Sequence, residues 1–140
     1  MRYNAVTDDP REIISHAVRE FNRAVSAKRR DRYNQSLRSA AELAWLAACS
    51  CADRAALFMR VPLPKGYNAR VDVLEKFVKR YRLKNGLQIL AVFNSSRHVL
   101  HGDVFYEDDG PSDEVISYYI GEVDVMAATC MGVIERGGKK

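Results

Sequence analysis

The sequence predicts an all-α protein, an antiparallel bundle of about five helices. Apolar residues recur at helical spacing through most of the chain, and no confident strand pattern emerges. The breaks fall at helix punctuation: Asp9-Pro10, Pro62-Leu63-Pro64-Lys65-Gly66, Asn85-Gly86, Gly110-Pro111-Ser112 and Gly137-Gly138. The connections are short enough for antiparallel neighbours. At 140 residues the chain reads as a single domain, 1–140, able to bury roughly two thirds of its unfolded surface.

Asp9-Pro10-Arg11-Glu12 starts the first helix. Asp9 is placed to cap, Pro10 suits the first helical position, and Glu12 sits where a capping-box carboxylate belongs. Ile13, Ala17, Phe21, Ala24 and Val25 then keep helical spacing, carrying the helix to about Lys28. His16, in this helix, reads as structural or solvated.

After Lys28-Arg29-Arg30-Asp31-Arg32 a long helix is expected from about Arg32 to Met59. Its centre is dense in small residues, from Ala40 and Ala41 to Ala55 and Ala56. Small side chains let backbones approach closely, so this is a central helix packed on more than one side, with Trp45, Leu46, Leu57 and Phe58 filling wider gaps. Cys49, Cys51 and Cys130 form neither a disulfide framework nor a metal knuckle and read as small buried apolar residues.

Asn68 is the expected cap of a third helix with a Val71, Leu74, Phe77, Val78, Tyr81 stripe. Lys76, Lys79, Arg80, Arg82 and Lys84 crowd its end, where cations favour the helix dipole. They are the candidate nucleic-acid-binding residues, against a plain solvated face. A fourth helix begins near Leu87 and carries two stripes. One is Leu87, Leu90, Ala91, Asn94, Arg97, His98 and His101; the other is Ile89, Phe93, Ser96 and Leu100. A helix apolar on two sides is buried between neighbours or shared with a second subunit. Gly102 is expected to end or bend it. Beyond an acidic turn at 107–109, Ser112 caps a last helix with the stripe Ile116, Tyr119, Ile120, Val123, Ala127, Cys130, Met131, Ile134.

The net charge of +4 hides an asymmetry. Residues 1–102 hold 19 Lys and Arg against 9 Asp and Glu; residues 103–140 hold 3 against 9. The basic part suits a polyanion such as RNA, unless the two parts pair within the fold or across a dimer. No apolar run is long enough to span a bilayer, and the first residues show no signal-peptide core, so cytoplasmic residence is the default.

Chemistry concentrates in Ser95–Glu107, S-S-R-H-V-L-H-G-D-V-F-Y-E. A helix turns about 100° per residue, so Arg97 and His101 sit about 40° apart on one face, with His98 roughly a turn before His101. Arg97, His98 and His101 are the candidate catalytic residues, supported by Asn94, Asp103 and Glu107. No metal or cofactor is called for.

The R-H-V-L-H-G segment near the end of the penultimate helix resembles the HEPN superfamily. The matching residues are Arg97, the polar His98 after it, and His101 with Gly102. The continuation H-G-D-V-F-Y-E and the small-residue second helix look most like the archaeal PaREP-type branch. Three residues separate Arg97 from His101, one fewer than the family's usual minimum. The resemblance implies a HEPN-like bundle, a homodimer with its site at the two-fold, and a metal-independent endoribonuclease. It also implies a toxin partnered by a nucleotidyltransferase-type antitoxin. The competing expectation is a non-catalytic HEPN-like dimer acting as a binding or assembly module.

Overall fold

The computed structural model describes residues 3–103 and 112–139. Within them the chain forms five α-helices and no strand: α1 (Pro10–Ser26), α2 (Arg30–Met59), α3 (Tyr67–Arg80), α4 (Gly86–Ser96) and α5 (Asp113–Glu135). α4 runs straight into a π-helical turn, Arg97–Asp103. The all-helical expectation holds, and no helix is long and apolar enough to cross a membrane among the described residues.

α2 is the axis of the bundle, packing on α1, α3, α5 and the π turn. Ala40, Ala41, Ala44, Ala47, Ala48, Cys51, Ala52, Ala55 and Ala56 are all fully buried. With so little side chain between them, neighbouring backbones approach on several sides. Ile13, Ile14, Leu74, Phe77, Ile89, Phe93, Leu100 and Ile116 supply the bulk that fills the remaining space. The cysteines are free and buried; burial pushes the Cys49 thiol up to about 12.

The helix starts follow local chemistry. Asp9 accepts a hydrogen bond from the Arg11 N–H at 2.8 Å, and the Ser112 hydroxyl accepts from Val115 N–H at 3.3 Å. Asn68 is not a cap: α3 starts one residue earlier, with Gly66 at φ 89° before it. α1 stops at Ser26, two residues short of Lys28. The Arg11 guanidinium spans Asp9 (2.7 Å) and Glu135 (2.9 Å), tying α1 to the end of α5 and holding both carboxyls below the usual carboxylate range. Buried Asp53 takes a two-pronged hydrogen bond from Arg70 at 3.1 and 3.4 Å, fastening α3 to α2.

Within one protomer the two stripes of α4 differ in burial. The Ile89, Phe93, Ser96, Leu100 stripe is buried; on the other, Leu90 is half-buried against the core, Leu87 is 86 % exposed, and Ala91, Asn94, Arg97, His98 and His101 are exposed too. The α-helical pitch ends at Ser96, and the π turn that follows takes the chain through Gly102 to Asp103. A pair of serines stands at the change of pitch. Ser95 turns its hydroxyl back to the Ala91 carbonyl at 2.8 Å, the kind of bond that loosens an α-helix. The Ser96 hydroxyl is buried without a hydrogen-bond partner among the described residues.

Candidate functional site

The π turn presents Arg97, His98 and His101 on the surface. A π turn takes more residues than an α turn, and such turns are frequent at functional sites. Residues 97 and 101, four apart, therefore remain about one turn from each other.

Arg97 and His101 rest on two ends of one aromatic ladder. The Arg97 guanidinium carbon stands 4.5 Å from the centre of the Tyr67 ring. Tyr67 stacks on Phe93 at 5.6 Å with only 9° between the planes. Phe93 stacks on Trp45 at 5.2 Å, and Trp45 on His101 at 5.9 Å. The Tyr67 hydroxyl donates to Asn94 Oδ1, so Asn94 helps to hold the ring beneath Arg97. Three separate helices, α2, α3 and α4, thus supply rings that restrain side chains of the π turn.

The ladder arises from simple placements. Phe93 lies on the buried stripe of α4 and fills the gap left by the alanines of α2. Tyr67 is the first residue of α3, delivered there by the proline-rich loop and oriented by the Asp53–Arg70 pair one turn later. Glu42, three residues before Trp45 on α2, brings Oε2 to 3.7 Å from His101 Nδ1. Both side chains of that pair are about half exposed (47 % and 52 %), so it orients the imidazole more than it stabilises the fold.

No family model matches this chain, and no curated protein or solved structure matches it.

The other expected site residues fall apart from this edge or outside it. Asp103 closes the π turn, and Glu107 lies outside the described residues. Lys76, Lys79 and Arg80 are exposed along the end of α3, with Arg80 over the Tyr81 ring at 5.6 Å; Arg82 and Lys84 are exposed in the following turn. His16 is held structurally within α1: Glu20 stands 3.5 Å away at i+4, and the Tyr3 hydroxyl is 3.2 Å from its Nδ1. Among the described residues no group of three His, Cys, Asp or Glu converges as metal ligands would.

Tyr67, Phe93, Trp45 and Glu42 were not among the candidate site residues. The signal that reaches them is weak in sequence: each is an ordinary aromatic or surface acid on its own helix. Only the fold brings them to Arg97 and His101.

Proposed function

We propose that the Arg97–His98–His101 edge acts on RNA as a metal-independent endoribonuclease site of HEPN type. The observation that carries this reading is the ladder, which restrains an exposed arginine and an exposed histidine one turn apart, with a carboxylate beside the imidazole. RNA cleavage needs a base for the 2′-hydroxyl, an acid for the departing 5′-oxygen and positive charge against the phosphorane. In this scheme the 2′-oxygen attacks phosphorus as its proton passes to a histidine, and the 5′-oxygen leaves with a proton. The products are a 2′,3′-cyclic phosphate and a 5′-hydroxyl.

His101 is the acid or base, with Glu42 aligning its ring, and His98 is the supporting imidazole. Arg97 clamps the phosphate. The exposed cations Lys76, Lys79, Arg80, Arg82 and Lys84 draw the polyanion in. The test is cleavage of RNA in EDTA by the wild-type protein and by His101→Ala. Cleavage by the first and not the second supports the assignment; equal cleavage by both contradicts it.

A second reading is a non-catalytic dimer, favoured by one observation: Leu87 is 86 % exposed on the same outward stripe of α4 as Ala91, Asn94 and His98. Pairing of that stripe with a second copy buries it and sets the two π turns near a common axis. Sedimentation of wild type and Leu87→Glu tests this. A dimer that Leu87→Glu turns into monomer supports the pairing, and a wild-type monomer rejects it.

A further inference from the structure

The far end of α5 is shaped to lie against the turn between α3 and α4. Gly138 N–H donates to the Val133 carbonyl at 2.9 Å and Gly137 N–H to Ile134 at 3.0 Å, the paired bonds of a Schellman cap. Gly138 backs onto Tyr81, where a Cβ would stand 2.7 Å from Cε1. Arg136 Nε donates to the Lys139 carbonyl at 3.2 Å, holding Lys139 beside the helix end. α3 closes with the longer-range of these two bonds: Leu83 N–H donates to Val78 at 3.2 Å, and Arg82 takes the left-handed position (φ 50°) that usually falls to glycine.

Between these two helix ends runs a groove of about 540 Å³. Arg82, Lys84, Arg136 and Lys139 line it, and no Asp or Glu does. Among the described residues none of these four cations pairs with a carboxylate. Asn85 sends its amide to Thr129 Oγ1 at 3.2 Å rather than capping α4, which leaves the Thr129 hydroxyl its own proton to donate. Helix dipoles do not account for so much charge. The ends of α3 and α5 bring about −0.5 each and the start of α4 about +0.5, far less than four cations.

We infer that this groove is a phosphate-binding site, taking a phosphate of two or more negative charges: a diphosphate, or the terminal phosphates of an RNA. Arg82 and Arg136 offer planar forks to phosphate oxygens, and Lys84 and Lys139 supply point charges. The site is separate from the Arg97–His101 edge, roughly 18 Å away along the axis of α4. It stands whether or not that edge cleaves RNA, because its test is direct binding.

The experiment is calorimetric titration of the full chain with pyrophosphate at low salt, using wild type, Arg82→Gly and Lys84→Gln. Glycine at 82 relieves the left-handed backbone, so Arg82→Gly melts no lower than wild type while losing a cation. Both variants are expected to bind pyrophosphate about tenfold more weakly or worse. No binding to wild type, or undiminished affinity in both variants, overturns the proposal. Two RNAs, with a 5′-diphosphate and a 5′-hydroxyl, then distinguish the source. Tighter binding of the first that vanishes in Arg82→Gly assigns the phosphate to RNA; equal binding of the two, with pyrophosphate affinity intact, assigns it to a free small molecule.

Discussion

Replacing Phe93 by Leu separates the ladder from the core it stands on. Phe93 is almost completely buried, between Trp45 at 5.2 Å and Tyr67 at 5.6 Å. Leucine keeps most of the buried apolar volume but removes two ring contacts, each worth about 0.5–1.5 kcal/mol beyond area. The expected loss is therefore about 1–3 kcal/mol. For a chain of this size that lowers the melting temperature by about 3–12 °C. Phe93→Ala also opens a cavity and loses about 3–5 kcal/mol. Melting by circular dichroism measures the cost, and fluorescence of the sole tryptophan, Trp45, reports the ladder directly. In Phe93→Leu the emission shifts although the fold is retained, and RNA cleavage falls further than the folded fraction explains. A Phe93→Leu protein with wild-type melting and unchanged emission refutes the ladder as a structural unit.

Asp53→Ala strands the Arg70 guanidinium and costs about 3–5 kcal/mol, whereas Asp53→Leu with Arg70→Met recovers most of it; urea melts of the single and double variants check this. Ser96→Ala removes a buried hydroxyl that has no partner among the described residues and raises stability by about 1–3 kcal/mol, read from the same melts. Arg11 holds the Asp9 and Glu135 carboxyls below their ordinary range, so their contribution is present above about pH 4 and is lost as pH falls through the lowered values. Arg11→Met removes that contribution, and its stability declines less steeply than wild type between about pH 5 and pH 2 in melts across that range.

Periodicity carried much of the fold. The buried stripe of α5 and most of that of α1 follow from spacing alone, as do the alanine centre of α2 and the capping roles of Asp9 and Ser112, because these features are local to one helix; Val25, at the end of the α1 stripe, is exposed. The outward stripe of α4 shows what helical spacing leaves open. Leu87, Leu90 and Ala91 keep helical spacing, yet an apolar side chain is free to remain on the surface, and Leu87 does. The π turn was equally hidden, since a change of helical pitch leaves no mark on the apolar period; the Ser95 bond to the Ala91 carbonyl stands just before it.

The candidate site was half legible. Arg97, His98 and His101 stand together within one turn of chain and are exposed together. Their supports come from elsewhere: Glu42 and Trp45 lie more than 50 residues before His101, and Tyr67 lies 27 residues before the Asn94 it bonds. A helical pattern states which face is buried, not which helix lies opposite. Asp53 carried the clearest missed signal, a carboxylate set in a run of buried alanines that requires a cationic partner somewhere in the fold.

The most direct test of the RNA-acting edge is the identity of the ends left on an RNA oligomer incubated with the wild-type protein in EDTA, with His101→Ala run beside it. The proposed chemistry predicts 2′,3′-cyclic phosphate and 5′-hydroxyl ends from the wild type and none from the variant. Intact RNA with both proteins, or the same ends at the same rate from His101→Ala, contradicts it.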